Sequence, residues 1–551
     1  MNYGFLIDNS SCIGCHACST ACKSENEVPL GVHRTWVKYV ETGRYPDSRR
    51  SFQVTRCNHC MNPPCVRICP TGSMYQKDNG IVEFDSDACI GCKACMQACP
   101  YDAIHLDPET KTASKCHFCS HRVEVGLEPA CVVVCPEHAI LAGDLDDPES
   151  EIAKKIAKNN VTVRKPEQGT APKLFYIEGG EIHLSPTAHE RTPQMHMFGD
   201  VVPLHGGDHV HSDPPVDPKP TGGVAANAHT AVRTPQSQGS PDGGPVQFGG
   251  RMAGHMVQVG FNAQHRVQWH WPIAAYIVTK HIAGGIFLFL AATVVGWPAA
   301  FSPLAMVSAG ALALLMTQIT LALLLYDLDR PDRFFYLLVR PQWRSWVARA
   351  AWILTGFAAL STVWWGIEAA AWMGWLAPSV AELLRPVLAL LTAPFALMTT
   401  IYTAFLFAQA EGRDLWQSSH VPLQMAVHAA VFGTAPFVAL APLLDLPAPL
   451  VEAATWGFGG ALVISLLVTL VADLGIAHAS EIAQRAARDI THGRYTLSFW
   501  GGGIVLGHIV PFALLISGVP ALGTAAFFAT ALGLFAYSNA FVMAPQDIPN
   551  S

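Results

Sequence analysis

Sixteen cysteines, all between Cys12 and Cys135, fall into four quartets: Cys12, Cys15, Cys18, Cys22; Cys57, Cys60, Cys65, Cys69; Cys89, Cys92, Cys95, Cys99; and Cys116, Cys119, Cys131, Cys135. The stretch CIGCKACMQACP over 89–100 sets four thiols at steps of three, three and four residues and follows the last with Pro100. An even count allows disulfides, but the start MNYGFLIDNSS has no basic segment followed by an apolar core, so no secretory signal is expected to deliver the domain to an oxidising compartment. Structural zinc sites usually join two separated pairs of ligands, whereas three cysteines at successive three-residue steps wrap one compact object from a single loop. Soft thiolates at C-x2-C-x2-C-x3-C-P spacing suit an iron–sulfur cubane, in which three thiolates hold three irons and the fourth ligates the neighbouring cluster.

The third quartet matches that run in full. The first keeps the spacing with Lys23 in place of the proline, the second widens one gap in CNHCMNPPCVRICP, and the fourth opens an eleven-residue gap in CHFCSHRVEVGLEPACVVVCP. Four quartets imply four [4Fe–4S] clusters, that is, a wire for electrons. Gly14, Ala17, Gly91 and Ala94 are small enough to let backbone amides turn toward cluster sulfurs.

Elements must hold these loops in place. GIVEFD (80–85) and AIHLD (103–107), each beside a quartet, read as short strands, and ESEIAKKIAKNN as a short helix. Residues 1–144 are therefore expected to form the cluster domain. Residues 145–265, rich in Pro, Gly, His, Asp and Thr toward about 250, read as a flexible tether; His205, His209 and His211 form a short tract of metal-binding type there, with no scaffold to orient it. Overall the 551 residues are 50% hydrophobic and 14% charged with a net charge of −7, the profile of a membrane protein, and the apolar runs begin near Trp271. Runs long enough to span a bilayer, about 20 residues each, lie at 272–296, 303–326, 346–367, 384–409, 421–443, 453–479, 499–518 and 520–543. Residues 266–551 thus read as an all-α eight-helix transmembrane bundle. With eight spans, Arg330, Arg333, Arg340, Arg344, Arg349, Arg413, Arg485, Arg488 and Arg494 fall on the side of the cluster domain and Arg385 alone on the other. The positive-inside rule then puts the clusters on the cytoplasmic side of a bacterial cytoplasmic (inner) membrane.

CHACSTACKSENEVP and CNHCMNPPCVRICPTG resemble the four-cluster electron-transfer subunits of the DMSO reductase and polysulfide reductase type, partners of molybdopterin enzymes, over residues 3–143. The resemblance implies an α+β double bacterial-ferredoxin-like domain with ligands exchanged between quartets: Cys12, Cys15, Cys18 with Cys135; Cys116, Cys119, Cys131 with Cys22; Cys57, Cys60, Cys65 with Cys99; and Cys89, Cys92, Cys95 with Cys69. WHWPIAAYIVTKHIAGG (269–285), LLYDLDRPDRFFYLLVRPQWRSWVARAAWIL (324–354) and IYTAFLFAQAEGRDLW (401–416) resemble the polysulfide reductase type of eight-helix membrane anchor. That likeness implies a natural fusion of two subunits, a molybdopterin-containing catalytic partner, and a quinone bound by polar side chains of the first helix and a tyrosine of the fourth. The cluster nearest the membrane would then be the one held by Cys12, Cys15, Cys18 and Cys135.

The residues themselves mark the same region. Ionisable side chains inside a bilayer are costly and usually mark a site; Tyr276 and Lys280 stand four apart on one helix face, His270 lies at the entry of that helix, and Tyr402 supplies a second phenol. These four are the candidate quinone residues. The plainer readings are an interfacial belt for Trp269, His270 and Trp271, and an ion pair of Lys280 with Asp473. Two further readings stay open: haem b held by histidines among His281, His428, His478 and His508, although the arginine–proline loop belongs to the haem-free type of anchor, and ion movement through Lys280, Asp473 and Glu368. No P-loop, dinucleotide fingerprint, hydrolase triad or nucleic-acid-binding face is present, so the chain is expected to lack substrate turnover of its own beyond a quinone half-reaction.

Overall fold

The computed structural model describes residues 1–42, 46–47, 49–184, 265–296, 302–475 and 477–551, together with four two-residue strands between 190 and 259. Its contacts divide it into two units, one of residues 1–67, 72–267 and 549–551, the other of residues 68–71 and 268–548.

In the first unit, Phe5, Leu6 and Ile7 of β1 (Tyr3–Asp8) are all buried, so β1 is covered on both faces, as a continuous apolar run in mid-sheet should be. It lies between antiparallel β8 (Ile140–Asp144) and parallel β10 (Leu174–Ile177), with β9 (Val161–Thr162) beyond β10. A long hairpin, β2 (Thr35–Thr42) with β3 (Arg49–Arg56), pairs from Thr35↔Arg56 to Thr42↔Arg49, and β3 runs directly into Cys57. Two small hairpins stand beside the middle quartets: β4 (Met74–Gln76) with β5 (Val82–Phe84), and β6 (Ile104–Leu106) with β7 (Ala113–Lys115). The strands expected in 80–85 and 103–107 are β5 and β6.

Within 145–184, expected as the start of a tether, the chain forms regular structure. Residues 151–158 form the expected helix, capped by Ser150 accepting the Ala153 N–H at 3.2 Å, with Ile152 packed against Leu6 and Ile177. Leu174 and Tyr176 of β10 are fully buried. The sheet around β1 therefore includes residues up to Ile177, because β10 pairs with β1. Residues 190–191 and 258–259 add short strands to the β2–β3 hairpin, in the order β11 (Glu190–Arg191), β14 (Gln258–Val259), β2, β3; β12 (Gln247–Phe248) and β13 (Arg251–Met252) pair with each other. His205, His209 and His211 lie outside the described residues.

Among the described residues, the second unit holds eight helices long and apolar enough to cross a membrane: Trp271–Gly296, Pro303–Tyr326, Trp346–Trp372, Pro378–Gln409, Val421–Leu440, Ala448–Leu470, Leu497–Ile516 and Ala521–Asp547. Each overlaps an apolar run read from the sequence. The first and fifth are the central ones, 72% of each apolar window being buried against 28% for the second and third. They approach closely because Gly285 and Gly433 face each other: a Cβ on Gly285 would overlap the Ala429 carbonyl and the backbone of Gly433. Small residues at such crossings let helix backbones pack by van der Waals contact where lipid gives no hydrophobic drive. An amphipathic helix, Glu481–Thr491, precedes the seventh span; it buries Ala483, Ala486, Ala487 and Ile490 and has no counterpart among the apolar runs. Arg385 is not in a connecting loop. It sits inside the fourth helix and pairs with Glu368 of the third through two bonds of 2.7 and 3.0 Å.

Candidate metal centres and a polar site among the spanning helices

The quartets share one backbone device. In the first C-x-x-C step of each quartet the residue before the second cysteine has left-handed backbone: Gly14 at φ 69, His59 at φ 43, Gly91 at φ 66 and Phe118 at φ 63. A left-handed residue reverses the chain so that both thiols face one centre, and glycine adopts it without strain. His59 and Phe118 keep the same conformation despite its cost to a side chain, so the irregular second and fourth quartets fold as the regular ones do. Gly14 is also required sterically, since a Cβ there would overlap the Phe52 ring.

The thiols ring cavities. Cys12, Cys15, Cys18 and Cys135 line one of them. Cys57, Cys60, Cys65 and Cys99 line another. Each combines three members of one quartet with the fourth member of a different quartet. For Cys22, Cys116, Cys119 and Cys131 the contacts are side-chain ones: the Asn26 amide lies 3.7 Å from the Cys22 sulfur and 3.8 Å from that of Cys119, and Cys131 is within electrostatic reach of Cys22, Cys116 and Cys119. Around Cys89 the Gly91 and Ala113 amides each donate to its sulfur at 3.5 Å. Cys69 falls in the other unit, and its sulfur stands 3.9 Å from the Thr71 hydroxyl. The sets adjoin one another: Cys18 neighbours Cys131, and Cys116 neighbours Cys57.

These residues fit an iron–sulfur group. Among the described residues no three Cys, His, Asp or Glu side chains converge as ligands of one ion would; the thiols surround a volume instead. Burial pushes the Cys18 thiol up to about 12 and those of Cys22 and Cys99 up to about 11. Left without metal they would be protonated at neutral pH, whereas iron requires and stabilises the thiolate. Buried cations stand among them. Lys115 donates to the carbonyls of Val82 and Cys116, Lys173 to the Asn2 side chain and the Gly80 carbonyl, and Arg56 to the Cys131 sulfur. Such charges complement an anionic group.

In the second unit, three of the four residues singled out for quinone come together. The Tyr276 hydroxyl is 3.2 Å from that of Thr403, which lies beside the Tyr402 phenol; the Tyr402 hydroxyl itself is buried without a well-formed hydrogen bond. Lys280 lies over the Tyr402 ring, 4.5 Å from its centroid, and donates to the carbonyls of Thr399 at 3.2 Å and Thr400 at 2.6 Å. The Asp473 side chain, its alternative partner in the sequence reading, lies outside the described residues. His270 is at the helix entry, where its carbonyl accepts the Ile273 N–H at 3.0 Å, six residues and about 9 Å along the axis from Tyr276.

Three of the histidines that the sequence reading considered as haem ligands lie in or near this polar region. His281 reaches the Thr400 carbonyl at 3.1 Å and meets His428 edge-on, ring centroids 5.8 Å apart. His428 in turn faces Tyr537, whose hydroxyl receives Gln424 at 2.8 Å. His508 uses both ring nitrogens, on the Ser465 hydroxyl at 2.8 Å and the Gly503 carbonyl at 2.7 Å. Glu368, a relay candidate, is held by Arg385. Thr403 and Gln424 carried no signal beyond being polar in an apolar run.

Comparison with known proteins gives two family matches. Residues 49–145 match the 4Fe-4S dicluster domain, and residues 260–543 match the family described as polysulphide reductase, NrfD. A polysulfide reductase component of Wolinella succinogenes is 45% identical over 178 residues, which cover 32% of this chain and 93% of that protein. A tetrathionate reductase component of Salmonella typhimurium is 42% identical over 201 residues, 35% of this chain and 79% of the relative. The arsenate respiratory reductase iron-sulfur subunit ArrB of Shewanella sp. strain ANA-3 is 36% identical over 227 residues, 32% of this chain and 96% of the relative.

Proposed function

The chain belongs to the polysulphide reductase NrfD family in its membrane half and to the iron–sulfur subunits of such reductases in its N-terminal part, and on that premise we propose that it carries electrons between a molybdopterin-containing catalytic partner and the membrane quinone pool through four [4Fe–4S] clusters. The observation that carries the reading is the exchange of cysteines around the two cavities, three from one quartet and one from another. A chain that interleaves its quartets sets neighbouring clusters within electron-transfer reach of one another, which four independent metal sites would not require. The adjacency of Cys18 with Cys131 and of Cys116 with Cys57 supports the order first, fourth, then second quartet along the wire. Cys89, Cys92, Cys95 and Cys69 are proposed as the remaining ligand set.

An iron–sulfur cluster supplies reversible one-electron storage; the protein's own residues do the rest. Left-handed loop residues fix the thiols, amides such as those of Gly91 and Ala113 donate to sulfur, and burial keeps water away from all but the most exposed ligands. In the spanning helices Tyr276 and Tyr402, with Lys280 beneath the Tyr402 ring and His270 at the entry, are proposed to bind the quinone head group by its oxygens. Aligned hydroxyls stabilise the negative charge that grows on a quinone oxygen as it is reduced. The relatives are named for polysulfide, tetrathionate and arsenate, so an inorganic sulfur species or oxyanion is the proposed substrate of the catalytic partner. The arginine-rich loops support placing the cluster unit on the cytoplasmic face of a bacterial inner membrane, and a reporter fused after Ser551 should then read as cytoplasmic.

The cluster count has a direct test. Purified protein is expected to contain about sixteen iron atoms per chain, four for each cluster. Iron near half that value would reduce the wire to two clusters, and stoichiometric zinc with little iron would overturn the reading.

A further inference from the structure

Arg56 ends β3 one residue before Cys57 and is fully buried. Nη1 donates to the Cys131 sulfur at 2.8 Å, and the guanidinium lies over the Phe5 ring, 4.6 Å from its centroid. Nε and Nη2 have no hydrogen-bond partner among the described residues. Burial disfavours its charge, and the groups set against that charge are the cysteines Cys131, Cys116 and Cys18, which a bound cluster would hold as thiolates. Cys18 belongs to the set around the first cavity, while Cys116 and Cys131 stand with Cys22 and Cys119. A guanidinium taken wholly out of water costs several kcal/mol unless an anion accompanies it, and arginine stays protonated whatever its surroundings. Two orphaned donors and a charge without a carboxylate are accounted for together if the anion is a thiolate-bound cluster, whose sulfurs accept hydrogen bonds.

We propose that Arg56 is a positioning residue that sets the reduction potential of the cluster held by Cys22, Cys116, Cys119 and Cys131, keeping it easier to reduce than its burial alone would allow. This rests on the reading that those four thiols hold a cluster. The step is a one-electron exchange: one cluster gains the electron that its neighbour at Cys12, Cys15, Cys18 and Cys135 gives up, or the reverse, and no bond breaks and no proton moves. Arg56 stays cationic in both states. Its fixed charge favours the more negative, reduced form, so it raises the potential; the donated hydrogen bond to Cys131 acts in the same direction.

The test is a redox titration of the full-length protein followed by EPR, comparing wild type, Arg56→Gln and Arg56→Lys, with iron content measured on each. The relevant signal is the one that Cys116→Ser removes. In Arg56→Gln the ratio of reduced to oxidised cluster at a fixed solution potential should fall at least tenfold, which for a one-electron couple is 59 mV. Arg56→Lys keeps the charge and should shift it less. A potential in Arg56→Gln within twofold of wild type at full iron content would overturn the proposal. So would loss of that cluster from both variants, because the residue would then serve assembly. A Cys116→Ser protein that loses no signal would instead overturn the four-cluster reading beneath it.

Discussion

Replacing Cys99 by serine is expected to remove or convert the cluster bounded by Cys57, Cys60 and Cys65, and to leave the one expected at Cys89, Cys92 and Cys95 intact, although Cys99 is the last cysteine of that third quartet. The reason is geometric. Cys99 lines one cavity with Cys57, Cys60 and Cys65 of the second quartet, at the end of the short helix Ala94–Ala98, and its backbone N–H bonds back to the Cys95 carbonyl at 3.1 Å. The helix thus carries the chain away from Cys89, Cys92 and Cys95 and delivers the fourth thiol elsewhere. Serine keeps the shape but offers a harder, far less acidic oxygen in place of soft sulfur. Iron content should fall by up to about four atoms per chain if the whole cubane is lost. EPR should show one altered signal, and the same signal should respond to Cys60→Ser. If Cys99→Ser alters the signal that responds to Cys92→Ser, and Cys60→Ser alters a different one, the exchange of ligands is wrong.

The second large effect is expected from a single oxygen. Tyr402→Phe deletes a buried hydroxyl that has no well-formed hydrogen bond, and Tyr276→Phe deletes one bonded to Thr403 at 3.2 Å. Removing an unsatisfied hydroxyl leaves no partner stranded, so Tyr402→Phe should not destabilise the bundle, whereas Tyr276→Phe leaves the Thr403 hydroxyl to rearrange. If either phenol donates to the quinone, its loss should slow electron exchange with a quinone analogue about tenfold or more, in line with roughly 1.4 kcal/mol of transition-state stabilisation. Iron content and reduction of the clusters by a chemical donor should be unchanged in both. Stopped-flow oxidation of pre-reduced protein by the analogue separates these outcomes. Wild-type rates in both variants would remove the tyrosines from the site and move attention to Lys280 and His281, one turn further along the same helix.

What is legible in the sequence, and what is not, follows from how far apart the interacting groups lie. The cysteine loops are local objects: spacing alone marks them, and Gly14 and Gly91 even mark the left-handed turn, although His59 and Phe118 hide it in the other two quartets. The eight spans are local too, since each is recognised by its own run of apolar residues. The strand β10 is the opposite case. LFYI of β10 looks like a fragment in a polar stretch because the strand it completes, β1, lies about 170 residues earlier. A lone lysine in an apolar helix suggests a carboxylate partner, yet the actual acceptors of Lys280, the carbonyls of Thr399 and Thr400, have no sequence signature. Arg385 reads as a loop charge because an arginine interrupts an apolar run, whereas the fourth helix continues through it on the strength of the Glu368 pair. Arg56 draws no attention in the sequence, where it is one of three arginines in RRSFQVTR. Only the burial of its last residue against cysteine sulfur sets it apart.

The central claim is that electrons held on the cysteine-bound clusters pass to or from quinone in the spanning helices of the same chain. The most direct measurement uses the purified full-length protein in detergent or vesicles, its clusters reduced anaerobically and then mixed with a soluble quinone analogue while cluster absorbance is followed. The account predicts that the clusters are reoxidised with saturable dependence on the analogue, and that residues 1–267 prepared without the spanning helices retain their iron but lose the saturable phase. Clusters that stay reduced in the full-length protein, or that are oxidised equally fast and without saturation in the truncated one, would contradict it.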